Sequence, residues 1–425
     1  MNALPSPRRV AIIGYNRIPF ARQFTNYAQA SNQDMMVAAL NGLIDKYSLA
    51  GKQLGEVAGG AVIKHSWEIN LMRECVLHTS LSPKTPACDI QQACNTGLEA
   101  AMYIANKIAL GQIDCGIAGG VDSTSNVPLV LNEHIRKILL SARRSKSTWD
   151  RIKQFSKIKL KDFTPEAPMN LEPGTGLSMG GHTEYTAKFY NISREDQDAF
   201  SLASHKNMAA ATDRGFYKDM VTPYLGLTED NNMRRDTSLE KLAKLKPAFD
   251  KVNGTLTAGN SSPLTDGASC LLLASEEWAA ANNHPILAYI TYAEMAAIEY
   301  VDAKKNLLLA PVYAAPRMLQ KAGLTLQDFD FYEIHEAFAA QVLALLKIWE
   351  SDALSADFGV PALGTIDRSK LNINGSSLAT GHPFAATGGR VIATLAKLLN
   401  EKGSGRGLIS VCAAGGQGMT MILEK

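Results

Sequence analysis

Four short stretches carry side chains that could make and break bonds to carbon. The first is Gln92-Ala93-Cys94-Asn95-Thr96-Gly97, after which Leu98, Met102, Ala105, Ile108 and Ala109 recur at helical spacing until Gly111 ends the pattern. Cys94 is therefore expected just ahead of a helix N-terminus, where free N–H groups and the helix dipole favour a thiolate, the form that attacks carbon. Asn95 and Thr96 are suited to cap that helix, and Gly97 to admit another chain or a ligand at close range. The second stretch is His335-Glu336-Ala337-Phe338-Ala339. The third is Gly381-His382-Pro383-Phe384-Ala385-Ala386-Thr387-Gly388, and the fourth is Cys412-Ala413-Ala414-Gly415-Gly416. Singly, each has a plainer explanation, since a lone cysteine is more often a small buried hydrophobe. Together, two thiols and two imidazoles supply a nucleophile, a base to activate it and a further acid or base.

The elements that must position these groups alternate along the chain. Arg9 to Gly14 reads as a buried strand, Asp34 to Tyr47 as a helix with Met35, Ala38, Ala39, Leu43 and Ile44 on its apolar positions, and Val57 to Ile63 as a strand. The helix after Cys94 leads into a strand from Cys115 to Gly120. This is the pattern of an α/β unit with a largely parallel sheet. Residues 123–256 are helical and loop-like, an excursion from the core; a Gly/Ser-rich loop follows, and Gly267 to Ala274 resumes a buried strand. After His284 the plan repeats, with strands at Ile286–Thr291 and Phe331–Ile334, helices at Ala314–Ala322 and Thr387–Leu398, and a last strand ending at Ala414. Thr96-Gly97, helix, strand and Gly119-Gly120 in the first half correspond to Thr387-Gly388, helix, strand and Gly415-Gly416 in the second. The expected organisation is a first half at 1–122, an inserted loop domain at 123–256, completion of the first half at 257–283, and a second half at 284–425. Loops at strand carboxyl ends would then meet in one crevice.

Composition narrows the function classes. With 425 residues, 46% hydrophobic and 20% charged, the chain is long enough for sizeable cores, and a net charge of +2 argues against general nucleic-acid binding. Met1 to Arg9 has no apolar run of the kind a signal peptide needs, and no window reads as a membrane span. Six cysteines with no CxxC pair point to a reducing, cytoplasmic setting. One glycine, Gly14, rather than GxGxxG, follows the first strand, which argues against a dinucleotide site. His335-Glu336 opens like a zinc motif, but Ala339 stands where the second histidine is needed, so no metal is expected.

These motifs and their order give the chain a family likeness. The stretch around Cys94, the Thr257–Gly267 loop, HEAFA, GHPFAATG and CAAGG resemble those of thiolases over nearly the full length. Within that family the chain is similar to trifunctional-complex β subunits and bacterial 3-ketoacyl-CoA thiolases, which carry HEAF and a long basic insert. The resemblance implies a five-layered αβαβα core of two duplicated halves, a loop domain over coenzyme A, and at least a dimer. It implies Cys94 as nucleophile, His382 as its activating base, and Cys412 as the acid and base at the α-carbon and at incoming CoA, a role suited by a thiol near neutrality. His335 and His382, with a water, would hold the enolate oxygen, and the N–H groups of Cys94 and Ala414 a second oxyanion. Glu336 is left open between orienting water or His335 and a structural part. Ser262 and Met179 match pantetheine contacts, with CoA a cosubstrate and no bound cofactor. His65, His78, His134, His182, His205 and His284 match no catalytic motif.

Arg136 to Lys161 holds ten basic residues against the single acid Asp150, interleaved with Trp149, Ile152 and Phe155 on a helical face that continues to Lys159. A basic amphipathic helix of this kind reads as a membrane-surface element, a solvated helix packed on the loop domain, or a patch for CoA phosphates; the resemblance to trifunctional β subunits implies membrane contact and a hydratase/dehydrogenase α-subunit as partner. The expected function is degradative cleavage of medium- or long-chain 3-ketoacyl-CoA, the last step of fatty acid β-oxidation. Acetoacetyl-CoA formation or cleavage is the nearest alternative, and a non-catalytic, membrane-docked acyl-CoA-binding subunit a further one. A β-ketoacyl synthase would lack Cys412.

Overall fold

A computed structural model describes residues 7–425, so the reading of the first six residues lies outside it. In chain order the first half contributes β1 (Val10–Arg17), β2 (Ala21–Arg22), α1 (Asn32–Lys46), β3 (Glu56–Gly59), α2 (Leu71–Leu77), β4 (Ala87–Asp89), α3 (Thr96–Ala109) and β5 (Cys115–Asp122). Five helices then occupy the excursion: α4 (Glu133–Arg144), α5 (Thr148–Phe155), α6 (Met179–Phe189), α7 (Arg194–Asp213) and α8 (Leu239–Ala243). The chain returns through β6 (Thr265–Ser275) and α9 (Glu276–Ala281). It finishes with β7 (Ala288–Ala297), α10 (Pro311–Ala322), β8 (Phe331–Ile334), α11 (Ala339–Glu350), α12 (Asp352–Ala356), α13 (Ser377–Thr380), α14 (Ala386–Lys402), β9 (Arg406–Ala413) and β10 (Gln417–Glu424).

The strands form one sheet in the order β4-β3-β5-β6-β1-β7-β10-β9-β8, with β2 beside β6. The expectation of a largely parallel sheet is corrected. Only β3/β4, β3/β5 and β8/β9 run parallel, and the five central pairings are antiparallel. The reason is chain order: β6 returns from the excursion between β1 and β5, and β10 follows β9 through a three-residue turn too short for a parallel crossover.

The layers follow from strand periodicity. On β6, Leu271 and Leu273 face one side with α3, α14 and the inner residues Ile409, Val411, Met419 and Met421 of β9 and β10. Leu272 and Ala274 face the other side with α1 and α2. On the far side, Leu408 and Ile422 join α10 and α11. Helices α3 and α14 thus lie between the two halves of the sheet, which meet where β1 pairs with β7 over Val10–Ile12. The strand expected through Ile63 stops at Gly59, because the N–H groups of Val62 and Ile63 donate to the Asp122 carboxylate instead of a neighbouring strand.

Candidate active site

Parallel pairing brings two of the four motifs together. Ile334 of β8 lies opposite Ser410 of β9, and the His335 N–H donates to the Ser410 carbonyl at 2.8 Å. His335 and Cys412 therefore leave the carboxyl ends of adjacent strands, and both are buried. His335 Nδ1 is 2.8 Å from Ser377 Oγ, while its Nε2 is buried without a partner.

The other two motifs meet because α3 and α14 touch at glycines. A Cβ on Gly97 would lie 2.7 Å from the Ala385 carbonyl oxygen, and one on Gly388 would lie 2.3 Å from the Leu98 nitrogen. The partner that Gly97 admits is thus the N-terminal turn of α14 rather than another chain or a ligand. This contact sets Cys94 Sγ 3.2 Å from His382 Nε2, with His382 Nδ1 2.6 Å from Thr387 Oγ1. Ala93, just before the cysteine, has φ of +48°, a conformation rare for a residue with a side chain. Thr96 stabilises that turn: its hydroxyl accepts from the Gln92 N–H and donates to the Ala93 carbonyl. Neither Asn95 nor Thr96 caps α3 from its side chain as expected, and the Asn95 amide is buried without partners. The His335 and His382 rings lie 4.2 Å apart. One cluster therefore holds Cys94, His335, His382 and Cys412.

The charge states differ from the thiolate expectation. Burial pushes the Cys94 thiol up to about 12, against the opposing pull of the Ala414 N–H and its own N–H on the sulfur. Burial also lowers His382 to about 3, aided by the positive charge of Arg390. The resting pair is a neutral thiol donating to a neutral imidazole, so the desolvation cost of separated charges exceeds the help of the helix dipole. Cys412 is likewise raised well above a free thiol by burial and by Cys94, away from the neutrality expected of it.

Glu336 makes no hydrogen bond to the His335 ring. Its carboxylate accepts from Ser204 Oγ at 2.7 Å, the Asn372 amide at 2.7 Å and the Leu378 N–H at 3.1 Å, so it ties α7 to the segment before α13. Ser262 lines a cavity of about 610 Å³ with Arg22, Arg234, Lys241, Phe249 and Leu264. Leu264 bridges to His382. Met179 opens α6, part-buried against the outer core, and is not among the residues lining this cavity. The basic amphipathic helix expected to run on to Lys159 is broken: α5 ends at Phe155, and Lys159 caps a separate turn at Leu160–Phe163.

Several residues that hold the cluster carry no local motif in the sequence. Asp122, at the end of β5, accepts from the N–H groups of Val62, Ile63 and Ala385, fixing the loop that carries His382. Glu172 reaches from the excursion to accept from the Gly415 N–H and the Tyr300 hydroxyl, both at 2.8 Å, which holds the turn after Cys412. Arg390, a charge inside the apolar run of α14, donates to Ser376 and Ser377. That interruption was the one signal available in advance.

Five layers with a paired cysteine and histidine between the central helices define a protein of the αβαβα class. The chain belongs to the thiolase family: the thiolase N-terminal domain profile matches residues 10–277 and the C-terminal domain profile residues 285–425. It is 41% identical over 424 residues to 3-ketoacyl-CoA thiolases of Yersinia pestis (strain Pestoides F) and Yersinia pseudotuberculosis serotype O:1b (strain IP 31758), covering 98% of this chain and 97% of each relative. Among solved structures it is similar to the Bacillus anthracis acetyl-CoA acetyltransferase, with TM-score 0.84 and 29% identity over 99% of both chains. The human mitochondrial 3-ketoacyl-CoA thiolase gives TM-score 0.82 and 27% identity over 98% of this chain and 99% of that one.

Proposed function

We propose that this chain is a 3-ketoacyl-CoA thiolase, an acetyl-CoA C-acyltransferase of fatty acid β-oxidation that cleaves medium- or long-chain substrates. The observation that carries the reading is the 3.2 Å contact between Cys94 Sγ and His382 Nε2 beside the unpartnered His335 Nε2. As the Cys94 sulfur attacks the 3-keto carbon, its proton passes to His382 Nε2. The bond between C2 and C3 then breaks, its electron pair moves to C2, and negative charge develops on the thioester oxygen. His335, with a water, and the newly protonated His382 serve that oxygen, while the N–H groups of Cys94 and Ala414 serve the oxyanion at C3. Cys412 gives its proton to C2, releasing acetyl-CoA. The resulting Cys412 thiolate takes the proton from incoming CoA, whose sulfur attacks the acyl carbon, and Cys94 departs with the proton held on His382.

CoA is cosubstrate, and the cavity lined by Ser262 suits it, with Arg22, Arg234 and Lys241 at hand for phosphates. The active form is a homodimer or larger, cytoplasmic, and peripheral at a membrane through residues 136–161. The same segment is available to a hydratase/dehydrogenase α-subunit. Among the described residues no helix is long and apolar enough to cross a membrane.

The test is CoA-dependent loss of the 3-ketoacyl-CoA enolate absorbance with four-carbon and sixteen-carbon substrates, using Cys94→Ala and Cys412→Ala as controls. Cleavage of the longer substrate that both substitutions abolish is the expected result. Activity confined to the four-carbon substrate would move the assignment to acetoacetyl-CoA chemistry, and cleavage of neither would leave an acyl-CoA-binding subunit.

A further inference from the structure

Arg390 is buried in the middle of α14, and its hydrogen bonds run to hydroxyls rather than carboxylates. Nη1 donates to Ser376 Oγ at 3.0 Å and Nη2 to Ser377 Oγ at 2.6 Å. Glu336 spends its oxygens on Ser204, Asn372 and Leu378, and both Glu333 oxygens are buried without a partner among the described residues. Beyond Ser377 stands His335, with Nδ1 2.8 Å from the serine oxygen.

Counting protons at Ser377 decides which way that last bond runs. A hydroxyl has one proton and two lone pairs, and a guanidinium nitrogen only donates. Arg390 therefore takes up a lone pair of Ser377 Oγ, and the hydroxyl proton needs an acceptor. His335 Nδ1 is the acceptor within reach. With a proton on Nδ1 instead, the Ser377 O–H would be stranded in the interior, and Nε2 would turn a lone pair toward the substrate oxygen.

We propose that Arg390 and Ser377 are positioning residues: their relay holds His335 Nδ1 as an acceptor, which fixes the ring proton on Nε2 and makes that atom a standing donor to the thioester oxygen. The proposal rests on the thiolase reading of the site. Burial, with His382 and Arg390 nearby, keeps the His335 ring neutral, so that a tautomer must be chosen. The neighbouring ring makes the opposite choice. His382 accepts from Cys94 on Nε2 and donates from Nδ1 to Thr387, whose hydroxyl has no cation behind it among the described residues. One imidazole is thus set as a base and its neighbour as a donor.

The experiment combines a spectrum with a double-mutant cycle on the full chain. In chain labelled with 15N-histidine, two-bond proton–nitrogen correlations report which ring nitrogen carries the proton, with His335→Asn assigning the signal. The expected native His335 is the Nε2–H form, and Ser377→Ala shifts it toward Nδ1–H. In the native background Ser377→Ala lowers kcat by up to about 10²-fold, the scale of losing one oxyanion donor, and Ser377→Thr restores most of it. In the His335→Asn background, where an amide N–H donates without any tautomer, Ser377→Ala causes little further loss. A native Nδ1–H form, or an equal loss from Ser377→Ala in both backgrounds, would overturn the relay. An Nε2–H form in a chain with no thiolytic activity would overturn the thiolase reading and not the relay.

Discussion

Burial sets the charge of each reacting group before substrate arrives. With Cys94 pushed up to about 12 and His382 held down to about 3, the thiol and imidazole are both neutral between those values. The thiolate ultraviolet band, read as the difference between the native chain and Cys94→Ser, is therefore expected to be absent from pH 6 to 9. A band already present at pH 7 would mean a preformed ion pair. His382→Asn, which leaves Cys94 without its base, should slow acyl-enzyme formation by about 10²- to 10⁴-fold in a single-turnover assay. Glu333 gives a second readout. Burial, reinforced by Glu336 and opposed by Arg390, raises its carboxyl from 4.5 to about 8. A carboxyl raised on folding contributes stability that is present below its ordinary value and lost as pH climbs through the folded one. The native melting temperature should fall between pH 4.5 and 8 for this reason, with Asp122, raised to about 7, adding to the fall. Glu333→Gln removes its own share, so its melting temperature should gain on the native chain across that window. Parallel curves would show that Glu333 ionises elsewhere or not at all.

At the level of elements, the crossing of α3 over α14 matters most, because it alone joins Cys94 to His382. Gly97→Ala places a methyl 2.7 Å from the Ala385 carbonyl oxygen and 2.9 Å from the Gly389 nitrogen. The overpacking is expected to cost about 1–3 kcal/mol in chemical denaturation. A displacement near 1 Å between thiol and imidazole should cut kcat by about 10²-fold; unchanged kcat with reduced stability would show that the crossing only packs. The same elements show what the sequence could convey. Cys94, His335, His382 and Cys412 were legible because each sits in a local signature, a glycine- or proline-fixed loop at a strand or helix end. β8 was read at Phe331–Ile334, where it lies, from a short apolar run bounded by turns. Strand direction was not legible, since a buried strand has the same apolar run whichever way its neighbour points. Asp122, Glu172, Ser377 and Arg390 were missed because each acts across a long sequence separation: Glu172 and Gly415 meet only after the excursion folds back. The position of Cys94 ahead of a helix can be read from a sequence, but the desolvation that opposes its ionisation cannot.

Across the whole molecule, charge is distributed against the net value. Residues 136–161 hold ten of the 43 lysines and arginines and one of the 41 acidic residues, a local +9, so the rest of the chain carries −7. The segment lies in α4 packed on α5; of its α4 residues Ile138 and Ala142 are buried, while α5 has no buried residue. Trp149 is 80% exposed, and Ile152, Phe155 and Leu160 are also exposed, a row of apolar side chains left open beside the cations. The membrane contact proposed for this segment would use both halves of that surface, the cations at anionic headgroups and Trp149 and Phe155 in the interface. In that proposal the opposite charge of the remaining chain would orient this face toward the lipid. The full chain is expected to sediment with phosphatidylserine-containing vesicles and not with phosphatidylcholine alone, and to release as salt rises. Replacing Arg143 and Arg144 with Gln should weaken partitioning by about 2 kcal/mol, roughly 30-fold, at about 1 kcal/mol for each cation near the surface. Trp149→Ala should weaken it at every salt concentration, because the apolar contribution is not screened. Both variants should keep their activity on dissolved 3-ketoacyl-CoA, since none of the three side chains reaches the cluster around Cys94. Vesicle binding that ignores all three substitutions would remove this face as the membrane contact, and binding to a hydratase/dehydrogenase subunit that they abolish would reassign it to that partner.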